Sequence, residues 1–193
     1  MAAENCPFHI LKKEIQDEKK KDQFVSFDYI IDPDNADLKT TVKIKKLSSN
    51  DVEEILCFFK EFDDLVDELE IGEGPPRFRL IKRLLSGNIK QHWLNKKEEY
   101  EDDDEVVFAA VRQDFLRSKM DDEISLDTKE WLKNIHKPRS MTVAEFVDRL
   151  TEINDLIDVM PDINGDAIPK YSEPELSVIL RNSVPRSWKK DQV

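Results

Sequence analysis

The stretch NDVEEILCFFKEFDDLVDELEIGEGPPRF, residues 50–78, carries the reading on which the fold turns. Val52, Ile55, Leu56, Phe59, Phe62, Val66 and Leu69 recur at three- and four-residue steps, which lays one apolar stripe along a helix. Asn50 followed by Glu53 predicts the N-cap and its reciprocal acid. Gly72 and Gly74 predict the end of that helix, and Pro75-Pro76 the start of the next, because proline lacks only an N–H that the first turn leaves unused. Phe78, Ile81, Leu84 and Leu85 form the second stripe, closed by Gly87. A short helix with Ile89, Trp93 and Leu94 follows. The acidic run EEYEDDDE (98–105) leads into VVFAAVRQDFLRSKM, where its carboxylates suit the positive end of a helix dipole.

Working toward the N-terminus, the period changes to two. In FVSFDYII, Val25, Phe27, Tyr29 and Ile31 share a face; DPDNAD (32–37) is rich in turn formers; in LKTTVKIKKL, Thr40, Val42 and Ile44 share a face. This predicts a hairpin over 24–47, with Lys43 and Lys45 blunting its edge. Residues 1–23 read as a flexible arm.

Toward the C-terminus, a helix over about 126–136 carries Trp131, Leu132 and Ile135. HKPRS (136–140) breaks it, since the residue before Pro138 is biased away from helix. Thr142 with Glu145 forms a capping box ahead of Val143, Phe146, Val147, Leu150, Ile153 and Ile157. A loop, PDINGDAIPKY, precedes a second box, Ser172 with Glu175, and the helix LSVIL. Pro185 and Trp188 begin a last element. The expected fold is mainly α, with about seven helices behind an N-terminal β-hairpin. The expected domains are 24–136 and 141–193, joined by a linker at 137–140. Ile135 and Leu132 are expected to face the first core, Phe146 and Leu150 the second.

Over 193 residues, 30 bases stand against 42 acids, for a net charge of -12. Nucleic-acid affinity comes mainly from cations neutralising phosphates, so bulk charge argues against it. Residues 1–50 hold nine bases and nine acids, so the whole excess lies in 51–193. Lys19–Lys21 and the Lys43, Lys45, Lys46 group are the cation-dense places in this reading, and weak RNA binding is expected from them. Four glycines leave no room for a Gly-rich phosphate loop. Cys6 and Cys57 form no framework, which suits a reducing compartment. The sequence contains no run of 18 apolar residues and its start lacks an apolar leader core, so a cytoplasmic protein without a membrane span is expected.

Chemistry is sparse. His9, His92 and His136 lie in separate segments, and no nucleophile elbow or nucleotide-binding motif occurs. Asp162, Asn164, Asp166 and Glu173 occupy positions 1, 3, 5 and 12 of an EF-hand-like loop. Ala167 stands where the sharp turn demands glycine, so an ordinary connection is expected. Trp93, Trp131 and Trp188 read as core anchors on helical apolar faces. No catalytic residue, cofactor or metal is expected.

Three blocks carry a resemblance. RFRLIKRLLSGNIKQHW (77–93), with Phe78, Leu84, Gly87 and Trp93, resembles a block of Gag polyproteins from long-terminal-repeat retrotransposons. TKEWLKNIHKPRSMTVAEFVDRLTEIN (128–154) is similar to their next block through Trp131, Pro138, Phe146, Arg149 and Leu150. SEPELSVILRNSVPRSW (172–188) is similar to their ending through Leu176, Pro185 and Trp188. The leading hairpin resembles that of Gag proteins from algal and water-mould elements. The resemblance implies two small retroviral-capsid-like helical domains; whether the second is truncated is left open by the sequence. It also implies self-association into a shell that packages element RNA. Gag chains usually continue into a basic tail or zinc knuckle for RNA, so RNA is expected to meet this chain weakly or through a region outside it. The competing expectation is a helical adaptor, domesticated from Gag or unrelated to it, that binds protein partners.

Overall fold

The computed structural model describes residue 8 and residues 24–32, 35–100 and 108–184. Among these are one two-stranded sheet, seven α-helices and a single 3-10 turn, so the mainly helical architecture behind a hairpin holds. The described residues fall into two compact units divided between Lys119 and Met120, with Phe8, itself buried, grouped in the second.

In the first unit, strand β1 (Phe24–Asp32) pairs antiparallel with β2 (Asn35–Lys45). Register sets Val25 against Ile44 and Phe27 against Val42, while Ser26 faces Lys43 and Asp28 faces Thr41. Ile44 is buried and Val25, Phe27 and Val42 half-buried, whereas Ser26, Asp28, Thr41 and Lys43 are exposed. The apolar alternation therefore turns one face inward. The side chains of Tyr29, Ile31 and Thr40 lie outside the described residues. The root of the hairpin is tied down by backbone: Leu47 N–H donates to Leu84 O, and Ser86 N–H donates to Leu47 O, each at 3.0 Å.

Helix α1 (Val52–Glu68) buries Ile55, Phe59, Phe62 and Val66 as the stripe predicts, and Phe58 and Leu65 besides. Its cap is Asp51 rather than Asn50: Asp51 Oδ1 accepts from Glu54 N–H at 3.2 Å. Asn50 is engaged elsewhere, accepting from Lys119 Nζ at 3.1 Å. The helix also stops before its glycines. Glu70 takes the left-handed conformation, φ 49°, and Ile71 N–H reaches back to Val66 O at 2.9 Å. That is a Schellman closure with glutamate where glycine is usual. Helix α2 (Pro75–Leu84) follows, opened by its two prolines, then α3 (Gly87–Glu98) and α4 (Phe108–Arg117), which pack on each other. Much of the acidic run, residues 101–105, lies outside the described residues, as do the N-terminal arm apart from Phe8, Pro185 and Trp188.

The second unit holds α5 (Ile124–Asn134), α6 (Val143–Leu156), the 3-10 turn Ile157–Val159 and α7 (Glu173–Ser183). The boundary expected at 137–140 falls instead at 119/120, so Leu132 and Ile135 are buried in the same unit as Phe146 and Leu150. The reason is local. Lys137 N–H donates to Ser183 O at 3.0 Å, and its ammonium donates to Pro138 O at 2.9 Å and to Met141 O. Pro138 thus sits in a tied corner, and α5 packs on α7 across it.

Candidate functional site

Residues 75–97 contain seven bases and no acid: Arg77, Arg79, Lys82, Arg83, Lys90, Lys96 and Lys97. A charge count over residues 51–193 misses this run, because the acids of α1 and of the rest of that stretch hide it. Helix geometry sorts these cations. Leu80, Ile81 and Leu84 bury one side of α2, which leaves Arg79, Lys82 and Arg83 exposed on the opposite side as one i, i+3, i+4 cluster. Three of the seven are engaged within the unit. Arg77 pairs with Glu73 at 2.7 Å, Lys96 with Glu99 at 3.0 Å, and Lys97 lies over the Phe78 ring at 5.5 Å. Arg79, Lys82, Arg83 and Lys90 make no ion pair among the described residues.

An aromatic cluster holds this surface in place. Trp93 is 1% exposed, with ring centroids of Phe115, Phe108, Phe59 and Phe78 at 5.3, 5.5, 6.0 and 6.5 Å. Tilted and edge-on contacts at these separations avoid the face-to-face arrangement that the ring quadrupoles disfavour. Leu84 is buried, Phe78 is half-buried, and Gly87 adopts φ +56° at the start of α3, where a side chain would be strained.

In the second unit, Phe146 and Leu150 are buried, and Trp131, Pro138 and Leu176 half-buried. Arg149 is 3% exposed and reaches Glu152 at 3.0 Å, which removes it from any solvent-facing role. A buried amide completes this core. Asn154 Nδ2 donates to Tyr171 O at 2.9 Å, while its Oδ1 accepts from Tyr171 N–H at 2.8 Å. Tyr171 Oη donates to Lys129 O at 3.1 Å, and burial pushes the phenol pKa up. The structure therefore brings the motif residues together as two cores rather than as one chemical site.

The EF-hand-like residues do not converge. Asn164 and Gly165 have φ of 54° and 90°, and Ile163 and Asp166 exchange backbone hydrogen bonds at 3.0 and 2.9 Å. Asn-Gly here builds a tight two-residue turn closed by the single bridge between Ile163 and Asp166. Glu173 is spent as the first residue of α7.

One pairing went unnoticed in the sequence: His92 Nε2 lies 2.7 Å from Ser118 Oγ. Ser118 Oγ donates its proton to Phe115 O at 2.5 Å, so the imidazole is the donor to the serine. That polarity is the reverse of a base-activated nucleophile. Burial, then Lys119 and Lys96, hold the His92 pKa below its usual value, consistent with a neutral ring.

Among the described residues no helix is long and apolar enough to cross a membrane. Comparison with protein-family models, with curated proteins and with solved structures finds no match for this chain.

Proposed function

We propose that the chain is the capsid part of a retrotransposon Gag protein, a structural and non-enzymatic cytoplasmic subunit. It self-associates into a shell around element RNA and needs no cofactor. We read its helical units as retroviral-capsid-like modules. The observation that carries the reading is the placement of the Gag-like blocks. Leu84 and Trp93 from the first lie in the core of one unit, and Phe146 and Leu150 from the second lie in the core of the other. The blocks thus coincide with what each unit needs in order to fold. A shell protein needs no large apolar patch, because lattices are built from many small contacts.

The test is assembly itself, followed by light scattering and negative-stain electron microscopy across protein concentration and salt. Closed particles should appear above a threshold concentration. Salt should favour them, because subunits carrying -12 repel one another and added ions screen that repulsion. A chain that stays monomeric throughout would overturn the reading and leave the adaptor in its place.

A further inference from the structure

We infer that the outer side of α2, which carries the exposed Arg79, Lys82 and Arg83, is a binding surface for the phosphodiester backbone of single-stranded RNA. Four observations meet there. The segment is free of acids over 23 residues in a chain whose net charge is -12. Arg79, Lys82, Arg83 and Lys90 have no ion-pair partner among the described residues; Lys43, Lys46, Lys60, Arg139 and Arg181 share that property, so what sets the α2 cations apart is their clustering on one face of an acid-free segment. Two of the four are arginines, whose planar fork suits phosphate oxygens. The helix beneath is fixed by Leu80, Ile81 and Leu84 in the core, so little order is lost on binding.

The same surface is poorly built for other partners. A helix lying in a membrane interface presents exposed Trp, Phe or Leu beside its cations. A second protein copy would want an aromatic or aliphatic anchor. Among the described residues the large exposed apolar side chains are Phe24, Leu126, Val143 and Val178, none of them in α2 or α3. A phosphate backbone requires only cations, and these are what the surface offers.

The inference rests on the shell reading only for choosing RNA among phosphodiester polymers. With about three or four phosphates neutralised, log K should fall with log salt at a slope of about -2 to -3. One subunit should bind in the range of about 10⁻⁴–10⁻⁶ M, and a shell would multiply this by avidity.

The experiment titrates a dye-labelled oligouridine with the full chain by fluorescence anisotropy. Arg79→Ala/Lys82→Ala/Arg83→Ala is set against Lys43→Ala/Lys45→Ala/Lys46→Ala, which removes the same charge from the hairpin. The α2 triple should weaken binding at least about tenfold and flatten the salt slope, and the hairpin triple should stay within about threefold. Unchanged affinity in the α2 triple, or equal losses in both, overturns the inference. So does an α2 triple that keeps its RNA affinity but loses binding to phosphatidylserine vesicles or to a second copy. Particle formation is scored on the same samples. Affinity that depends on α2 without particles would sink the shell reading and leave this surface standing.

Discussion

Removing the Trp93 side chain is the sharpest probe of the first core. The indole is 1% exposed and touches four aromatic rings within 6.5 Å. A buried tryptophan hides about 200 Å² of largely apolar surface, worth about 4–5 kcal/mol at 25 cal/mol per Å² as an upper bound. Alanine recovers part of that, while lost ring contacts and a residual cavity add to the cost. The expected net is about 3–5 kcal/mol for Trp93→Ala. A unit of about a hundred residues has only about 5–15 kcal/mol in total, so the variant should sit near the edge of folding. Urea unfolding followed by far-ultraviolet circular dichroism is the assay. With a slope of about 2 kcal/mol per molar, the midpoint should drop by about 2 M. Trp93→Phe keeps most of the ring contact and should lose about a third as much. An unchanged midpoint combined with failed assembly would refute the argument and move Trp93 to an interface.

Three further outcomes follow from local geometry. Glu70→Gly relieves a left-handed residue that costs about 1–2 kcal/mol, offset by about 0.5–1 kcal/mol of extra freedom in the unfolded chain. A thermal melt should therefore rise by a few degrees, and a lower melting point would show that Glu70 makes a compensating contact. Asn154→Ala leaves both the N–H and C=O of Tyr171 without their partner and should cost about 2–4 kcal/mol by chemical denaturation. Glu145 and Glu175 accept hydrogen bonds from Thr142 and Ser172, which hold their pKa values below 4.5. Because the folded values lie below the unfolded ones, the stabilisation is present above pH 4.5 and is lost as pH falls through the folded values. Glu145→Gln/Glu175→Gln should flatten the acid limb of a stability–pH curve, and an unaltered limb would contradict the assignment.

Periodicity made the helices legible. The spacing from Val52 to Val66 is a property of the chain, and burial followed it. Both capping boxes were readable because their partners lie three residues apart. Where the outcome depended on distant partners, reading failed. Asp51 rather than Asn50 caps α1, and the Asn50 side chain instead accepts from Lys119, 69 residues on. HKPRS looked like a linker, yet Ser183 O ties it to α7, a contact no local pattern announces. The EF-hand-like spacing, by contrast, reads as an ordinary connection from Ala167, and the local Asn164-Gly165 pair builds a tight turn there. The basic side of α2 was present in the letters throughout. A count over 23 residues finds it, while a count over 143 does not.

The bridge between Leu47 and the Leu84–Ser86 backbone also sets an order of events. A two-stranded hairpin has little stability of its own in water, and this one is fastened at its root to a junction that exists only once α1 and α2 have formed. During synthesis, β1 and β2 leave the ribosome first but have to wait for residues up to Ser86 before they have anything to hold. Their amides should consequently exchange with solvent through sub-global openings that leave the aromatic cluster intact, so that the first part of this unit to be made is the last to be secured.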